Sequence, residues 1–250
     1  MSDAIVVGSG PNGLACAAVL ARAGMRVTVL ESEPTIGGGT RTSELTVPGV
    51  LHDHCSAVHP MAVASPLFES LDLAAHGLEW CWPKIDLAHP LDDGSAGVML
   101  RSIEATAAGL GADGRAWKRL FARPAAGFAE LNQDLVRPLF HLPRHPLRLA
   151  RFGLPAAAPA TLLARGFGTP QARALFGGAA AHALSPLSQP LSSAIGMALI
   201  AAGHHNGWAV ARGGSRAITD ALAAIVTGHG GTIETGRRVA SLSELPAVGA

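Results

Sequence analysis

The chain has 250 residues, a net charge of +1 and a mean hydropathy of +0.30, and this length allows one large domain or two smaller ones. It contains no run of about eighteen uninterrupted apolar residues and no basic region before its first apolar run, so the sequence predicts neither a transmembrane helix nor a signal peptide. Its three cysteines form no CxxC pair and are too few for a disulfide framework, and we expect a cytoplasmic protein.

The first 31 residues predict a strand, a helix and a second strand, which is the unit expected at the start of a doubly wound sheet. The run "AIVV" from Ala4 is β-branched and ends in glycines, as is typical of a buried parallel strand. The segment from Pro11 predicts a helix that Gly24 ends, and "RVTVLE" predicts the second strand.

The middle of the chain has a different character and predicts mostly helices. "DLAHPLDDGSAGVMLRS" predicts a hairpin that turns at Asp92–Gly94, and the segment 113–136 predicts an amphipathic helix despite Pro124. Prolines in 137–160 predict a loop, and we expect His204 and His205 in a loop near a domain junction. After them "GGSRAITDALAAIVTGHGG" predicts a helix, and "TIETGRRVASL" predicts one or two strands.

Gly8, Gly10 and Gly13 form GxGxxG between the first strand and the first helix, the context in which this motif predicts a dinucleotide site. Gly8 permits the tight turn, Gly10 lets a pyrophosphate approach the backbone, and Gly13 lets the helix lie against the strands. The helix N-terminus then faces the phosphates with free N–H groups. Glu31 stands eighteen residues after Gly13, where its carboxylate can accept hydrogen bonds from a ribose diol. No basic residue follows it directly, which disfavours an adenosine 2′-phosphate.

A second glycine cluster, Gly37–Gly39, follows a few residues after Glu31, with Arg41 behind it. A plain NAD-binding unit does not need this cluster, whereas an extended FAD passes close to the backbone here. These residues, with "ELTVPGVLHDHCSAVHP" after them, resemble the FAD-dependent amine oxidase and phytoene desaturase superfamily. The resemblance is greatest to the phytoene dehydrogenase-related oxidoreductases, including the pyridine nucleotide-disulfide oxidoreductase domain-containing protein 2 group. It covers residues 3–60 and recurs over 211–239.

The resemblance implies an α/β protein, with a glutathione-reductase-type FAD/NAD(P)-binding (Rossmann-like) domain interrupted by a mostly helical substrate domain. We expect the first segment of the FAD-binding domain at 1–60, the substrate domain at 61–204 and the return segment at 205–250. The implied strand that holds Val239 passes its backbone by the adenine. Gly39 stands where many family members have arginine, which leaves Arg41 as the nearest arginine. The expected cofactor-binding residues are Gly8, Ser9, Gly10, Pro11, Asn12, Gly13, Glu31, Gly38, Gly39, Arg41 and Val239.

The implied reaction is hydride transfer from a small apolar substrate to N5 of FAD, for which the protein supplies position and exclusion of water. Members of the superfamily are longer, so we expect an N-terminal half without the segment that closes over the flavin. Two alternatives stay open: a non-catalytic ADP- or FAD-binding fragment that needs a complementing C-terminal partner chain, and an NAD-binding protein.

Residues 135–219 contain eight arginines and no acidic residue. One interpretation is a set of solvated arginines, and the other is an anionic partner, either a membrane surface or a substrate with carboxylate or phosphate. Peripheral membrane contact is therefore an expectation for residues 135–173. Nucleic acid is not expected, because interleaved aromatic residues and a recognisable binding module are missing.

No catalytic residue is assigned, since flavin chemistry requires no protein nucleophile. Asp53, His54 and His59 are candidates for a general base or for a structural role in the loop beneath the cofactor. His52, His54, Cys55 and His59 have a spacing that zinc allows, but no second cluster completes a closed site, and no metal is predicted. Disulfide reductase chemistry is excluded because the cysteine pair it requires is missing from the sequence.

Overall fold

The computed structural model describes residues 3–138 and 140–245. The chain divides into two units, each assembled from separated parts of the sequence. The first unit comprises Met1–His59, Glu69–Cys81 and Val210–Ala250, and the second comprises Pro60–Phe68 and Trp82–Ala209. The inclusion of Glu69–Cys81 in the first unit was not indicated by the sequence. The domain ranges predicted above stay a prediction.

The secondary structure alternates strands and helices at both ends of the chain and is mostly helical between them. Among the described residues the strands are β1 (Ala4–Val7), β2 (Val27–Leu30), β3 (Thr42–Glu44), β4 (Leu51–Asp53), β5 (Trp80–Cys81), β6 (Leu87–Pro90), β7 (Ala96–Met99), β8 (Val210–Ala211) and β9 (Thr232–Glu234). The helices are α1 (Pro11–Arg22), α2 (Pro60–Val63), α3 (Pro66–Leu71), α4 (Ile103–Gly109), α5 (Gly114–Ala126), α6 (Phe128–Leu135), α7 (Pro146–Ala156), α8 (Ala160–Ala164), α9 (Pro170–Ala180), α10 (Ser193–Asn206) and α11 (Arg216–Gly228).

The first unit is built on a three-stranded parallel sheet in the order β1–β2–β9. Val29 of β2 lies opposite Ile233 of β9, so the end of the chain returns to the sheet begun at its start. Helices α1 and α11 pack against each other. The buried face of α1 is small and apolar, while α11 buries its predicted apolar stripe. Gly24, with φ of 87°, follows the end of α1 as predicted, because a left-handed residue there closes the last turn.

Two short antiparallel pairs complete the first unit, β3 with β4 and β5 with β8. The predicted strand–helix–strand start and the predicted helix α11 are confirmed. The segment after α11 supplies one strand, β9, and the residues at 237–240 have no regular secondary structure.

The second unit is mostly helical, around a core of large aromatic and apolar side chains. Trp117, Phe121, Phe128, Phe176 and Met197 are fully buried within it. The predicted hairpin is confirmed as β6–β7, and its turn residue Gly94 has a φ of 81°. The predicted amphipathic helix is divided at Gly127 into α5 and α6, and Pro124 lies inside the last turn of α5.

Two expectations for the second unit were wrong. The predicted loop at 137–160 contains the helix α7, because Pro146 occupies its first position, where the missing N–H is harmless, and Pro155 falls in its last turn. His204 and His205 lie in the last turn of α10 rather than in a loop. His204 is buried there and accepts a hydrogen bond from Nε1 of Trp117 at 2.9 Å. None of the helices described is long and apolar enough to cross a membrane.

Candidate dinucleotide-binding site

The turn between β1 and α1 explains two of the three motif glycines by itself. Gly8 has a φ of 97°, which a residue with a side chain rarely adopts. A Cβ atom at Gly13 would lie 2.1 Å from the carbonyl oxygen of Gly8, so a side chain there is incompatible with the turn. Gly10 is different, because its φ is −66° and a Cβ atom would meet only the Cα of Gly38, at 3.9 Å. The fold therefore tolerates a side chain at Gly10, and the space in front of it is open.

Helix α1 begins at this open space with unfilled donors. Gly10 is its N-cap residue, and no side chain caps the helix. Pro11 occupies the first helical position and has no N–H, so the outward donors of the first turn come from Asn12 and Gly13. Together with the positive end of the helix dipole, this arrangement favours an anionic group in front of Gly10.

The second glycine cluster packs on the first, backbone against backbone. The N–H of Gly37 donates to the carbonyl oxygen of Ser9 at 3.1 Å. Gly38 has a φ of 52°, and a Cβ atom there would lie 3.0 Å from the Cα of Gly10. Gly39 is exposed, and a Cβ atom there would come no closer than 3.9 Å to Cys55. Two motifs more than twenty residues apart in the sequence thus share one surface.

Glu31, directly after β2, is buried and ionised. Oε2 accepts hydrogen bonds from the N–H of Ser9 at 2.8 Å and from its hydroxyl at 2.5 Å. Oε1 accepts from the N–H of Glu33 at 2.9 Å and from the hydroxyl of Ser32 at 3.2 Å. Burial by itself raises the pKa of Glu31, but these four hydrogen bonds to the charged form lower it more, from 4.5 to about 2. The carboxylate is therefore charged throughout the physiological range.

Arg41 lies beside this carboxylate, which the sequence did not indicate. Its Nη2 is 3.6 Å from Oε1 of Glu31, and its Nε and Nη2 each donate to the carbonyl oxygen of Thr35 at 3.3 Å. The prediction that no basic residue follows Glu31 directly is true of the sequence. In three dimensions, however, the 3-10 turn at Gly38–Thr40 returns a cation to that position.

Val239 occupies a different setting from the one implied. It is half-buried and lies outside any strand, five residues after the end of β9. The chain does pass the glutamate just before it, because the N–H of Arg237 donates to the carbonyl oxygen of Glu31 at 2.7 Å. The implied strand at Val239 is therefore wrong, since no neighbouring strand pairs with the described residues after Glu234.

Asp53 and His59 belong to a hydrogen-bond network at the N-terminus of α11. Oδ1 of Asp53 accepts from the Thr42 hydroxyl at 2.5 Å and from the N–H of Ser215 at 2.8 Å. The Ser215 hydroxyl donates to the carbonyl oxygen of Ser56 at 2.6 Å, so Nε2 of His59, 2.8 Å away, donates to that hydroxyl. Burial lowers the pKa of His59, although the Asp53 charge opposes the shift. These contacts support the structural alternative for both residues.

The remaining residues of "HDHCSAVH" have local partners. Nε2 of His54 lies 2.7 Å from the Ser43 hydroxyl, and Nε2 of His52 lies 2.8 Å from the Thr46 hydroxyl. Cys55 is exposed. Within the part of the chain that the structure describes, no group of three or more His, Cys, Asp or Glu side chains is placed to hold a metal ion.

The comparison with known proteins agrees with this geometry. Residues 6–72 match the family described as NAD(P)-binding Rossmann-like domain. The rat pyridine nucleotide-disulfide oxidoreductase domain-containing protein 2 is 37% identical over 78 residues, which are 31% of this chain and 13% of that protein. One of the limonene dehydrogenase subunits of Castellaniella defragrans is 29% identical over 129 residues, 52% of this chain and 22% of that protein.

Among solved structures, a putrescine oxidase with bound putrescine superimposes with a TM-score of 0.58 at 20% identity. The superposition covers 94% of this chain and 51% of the oxidase. The chain thus spans about half the length of that structure, and its matched segments cover less than a quarter of the two curated relatives. The predicted Rossmann-like α/β fold class is confirmed. The chain is a homologue of pyridine nucleotide-disulfide oxidoreductase-like proteins and carries an NAD(P)-binding Rossmann-like domain at residues 6–72.

Proposed function

We propose that this chain is the N-terminal part of an FAD-dependent oxidoreductase of the phytoene dehydrogenase-like type. The observation that carries the proposal is Gly10, whose missing side chain the fold does not require. A residue kept small for no internal reason, in front of an uncapped helix N-terminus, is explained by a ligand that approaches the backbone there.

The described residues fit the ADP half of the cofactor. The first turn of α1 supplies the donors for a pyrophosphate, and Glu31 supplies the acceptors for a ribose diol. Each Glu31 oxygen accepts from one backbone N–H and one serine hydroxyl. The hydroxyls of Ser9 and Ser32 thus occupy the acceptor sites of a diol, and rotation of either one releases such a site without removing the backbone bonds.

The contact between Gly10 and Gly38 supports FAD over NAD. Both glycine clusters line one surface, so a cofactor that extends beyond its pyrophosphate meets a second stretch of open backbone at Gly38 and Gly39. When bound, FAD supplies the capacity to accept a hydride from a C–H or C–N bond. The chain's own residues bind and orient the cofactor, and similarity to a protein of a limonene dehydrogenase supports an apolar substrate.

The test is flavin binding by the purified chain and by a matched pair of variants. We expect the two-banded visible absorption of oxidised flavin, either as purified or after addition of FAD. Gly10→Val fills the open space and should abolish this absorption while leaving the circular dichroism spectrum unchanged. Gly153→Val, at another position where a Cβ atom meets nothing within 4 Å, should retain it. A colourless chain that does not take up FAD, or equal flavin content in both variants, contradicts the proposal.

Two further candidates use the same turn. The family description favours NAD as the ligand, and competition separates the two, because an NAD site releases FAD on addition of NAD whereas an FAD site does not. A non-catalytic fragment that needs a complementing chain is supported by the partial coverage of the relatives. It predicts flavin binding without flavin reduction by any apolar amine or alkene, until a chain with the remaining half is added.

A further inference from the structure

The second unit contains a cavity of about 490 Å³ that the dinucleotide site does not use. It is bounded by α5, the turn at Gly127, α7 and α10, so all of its walls belong to this one unit. Its volume lies within the range of pockets that hold small organic ligands.

Four arginines line this cavity, two from each of two helices: Arg119 and Arg123 from α5, Arg148 and Arg151 from α7. Arg148 is paired with Glu130. The other three form no ion pair within the described residues. Like charges that converge on one cavity repel each other unless an anion lies between them, so the cavity favours an acidic group.

The rest of the cavity wall is apolar. Leu131, Phe152 and Met197 line it and are at most 5% exposed, so they form an apolar floor. A free inorganic anion makes no use of such a floor. A ligand with an acidic head and an apolar chain contacts both surfaces, and burial of its chain contributes favourably in proportion to the apolar area covered.

The surface beside the cavity exposes large apolar side chains. Leu147 and Leu154 of α7 are 72% and 79% exposed, and Phe140 and Leu142 just before the helix are 94% and 90% exposed. Apolar side chains interleaved with arginines are typical of segments that lie at the interface of an anionic membrane.

We propose that this cavity binds an anionic amphiphile, with the acidic head group at the arginines and the apolar chain on the floor formed by Leu131, Phe152 and Met197. The shared chemistry has two sources, a lipid within a membrane and an amphiphile in solution. The proposal does not depend on the dinucleotide site, and its test contains no flavin.

The first arm of the test is calorimetric titration with decyl phosphate below its critical micelle concentration. Decyl glucoside and inorganic phosphate serve as probes that lack the charge or the chain. We expect decyl phosphate to bind at least about tenfold more tightly than either, because it alone makes charge-assisted hydrogen bonds and buries a chain. The variant R119Q/R123Q should lose about tenfold or more in affinity. The variant K118Q/R165Q removes the same charge from exposed positions outside the cavity and should stay within about twofold of the wild type.

The second arm is flotation with vesicles of neutral phosphatidylcholine, with and without anionic phosphatidylglycerol. Binding to anionic vesicles that is lost in R119Q/R123Q identifies the source as a membrane lipid. Binding of decyl phosphate without vesicle binding identifies a soluble amphiphile. Equal affinity for decyl phosphate and decyl glucoside, or equal losses in the two double variants, overturns the proposal. Circular dichroism of both variants confirms that each is folded.

Discussion

Replacement of Glu31 by Gln preserves the shape of a buried side chain and removes its charge. The pKa of Glu31 is about 2 in the folded chain and 4.5 when unperturbed, a difference that corresponds to about 3 kcal/mol of stabilisation at pH 7. Because the pKa is lowered on folding, this stabilisation is present above pH 4.5 and is lost as the pH falls toward 2. At pH 3 about half of it should remain. We therefore expect E31Q to be less stable than the wild type by about 3 kcal/mol at pH 7, and by about half as much at pH 3.

Urea unfolding of both proteins at several pH values between 3 and 7 measures this difference. Circular dichroism at 222 nm is a sufficient probe, since the helices α1 and α11 lie in the affected unit. The control is E33Q, because Glu33 is exposed and contributes its backbone N–H rather than its side chain to Glu31. A stability difference for E31Q that does not change with pH would refute the reasoning that the hydrogen bonds from Ser9, Ser32 and Glu33 hold the charge.

Three further predictions concern the same unit and its neighbour. Gly13→Ala should destabilise the chain by about 2 kcal/mol or more, because its Cβ atom clashes with the carbonyl oxygen of Gly8, whereas Gly153→Ala should stabilise it by about 0.5–1 kcal/mol; a chemical denaturation curve for each separates them. Ser215→Ala should cost about 2 kcal/mol, because it leaves Nε2 of His59 and a carbonyl oxygen without their partner, and an unchanged melting temperature would contradict this. Since burial lowers the pKa of His59 from 6.5, its contribution to stability is present above pH 6.5 and falls below it, and this part of the pH dependence should be absent in His59→Gln.

The hydroxyls of Ser9 and Ser32 have a consequence for ligand binding. Each occupies an acceptor site of Glu31 that a ribose diol requires. Release of these hydroxyls is a local change that leaves both backbone hydrogen bonds in place. This arrangement keeps the carboxylate satisfied and charged before a ligand arrives, so no buried acceptor is left unpaired.

Much of the first unit follows from local pattern. The β-branched run, the glycine at a positive φ and the proline at the first helical position each act within a few residues, so the turn, α1 and its end at Gly24 could be predicted. The same approach failed at α7, because it treated prolines as helix breakers without regard to their position in the helix. It also failed at Val239, where the presence of a strand depends on a pairing partner rather than on the residues themselves.

The sequence by itself determined that a dinucleotide turn and an acid follow each other at the spacing of a Rossmann-like unit, because that spacing is set by one strand and one helix. Only the tertiary structure decided which glycine is free of internal demands, because the clash at Gly13 and the open space at Gly10 depend on atoms brought together by the turn. It alone placed Arg41 beside Glu31 and Gly38 against Gly10, and it alone converged four arginines from two helices on one apolar cavity. Contacts between residues distant in the chain arise from packing, and no local pattern encodes them.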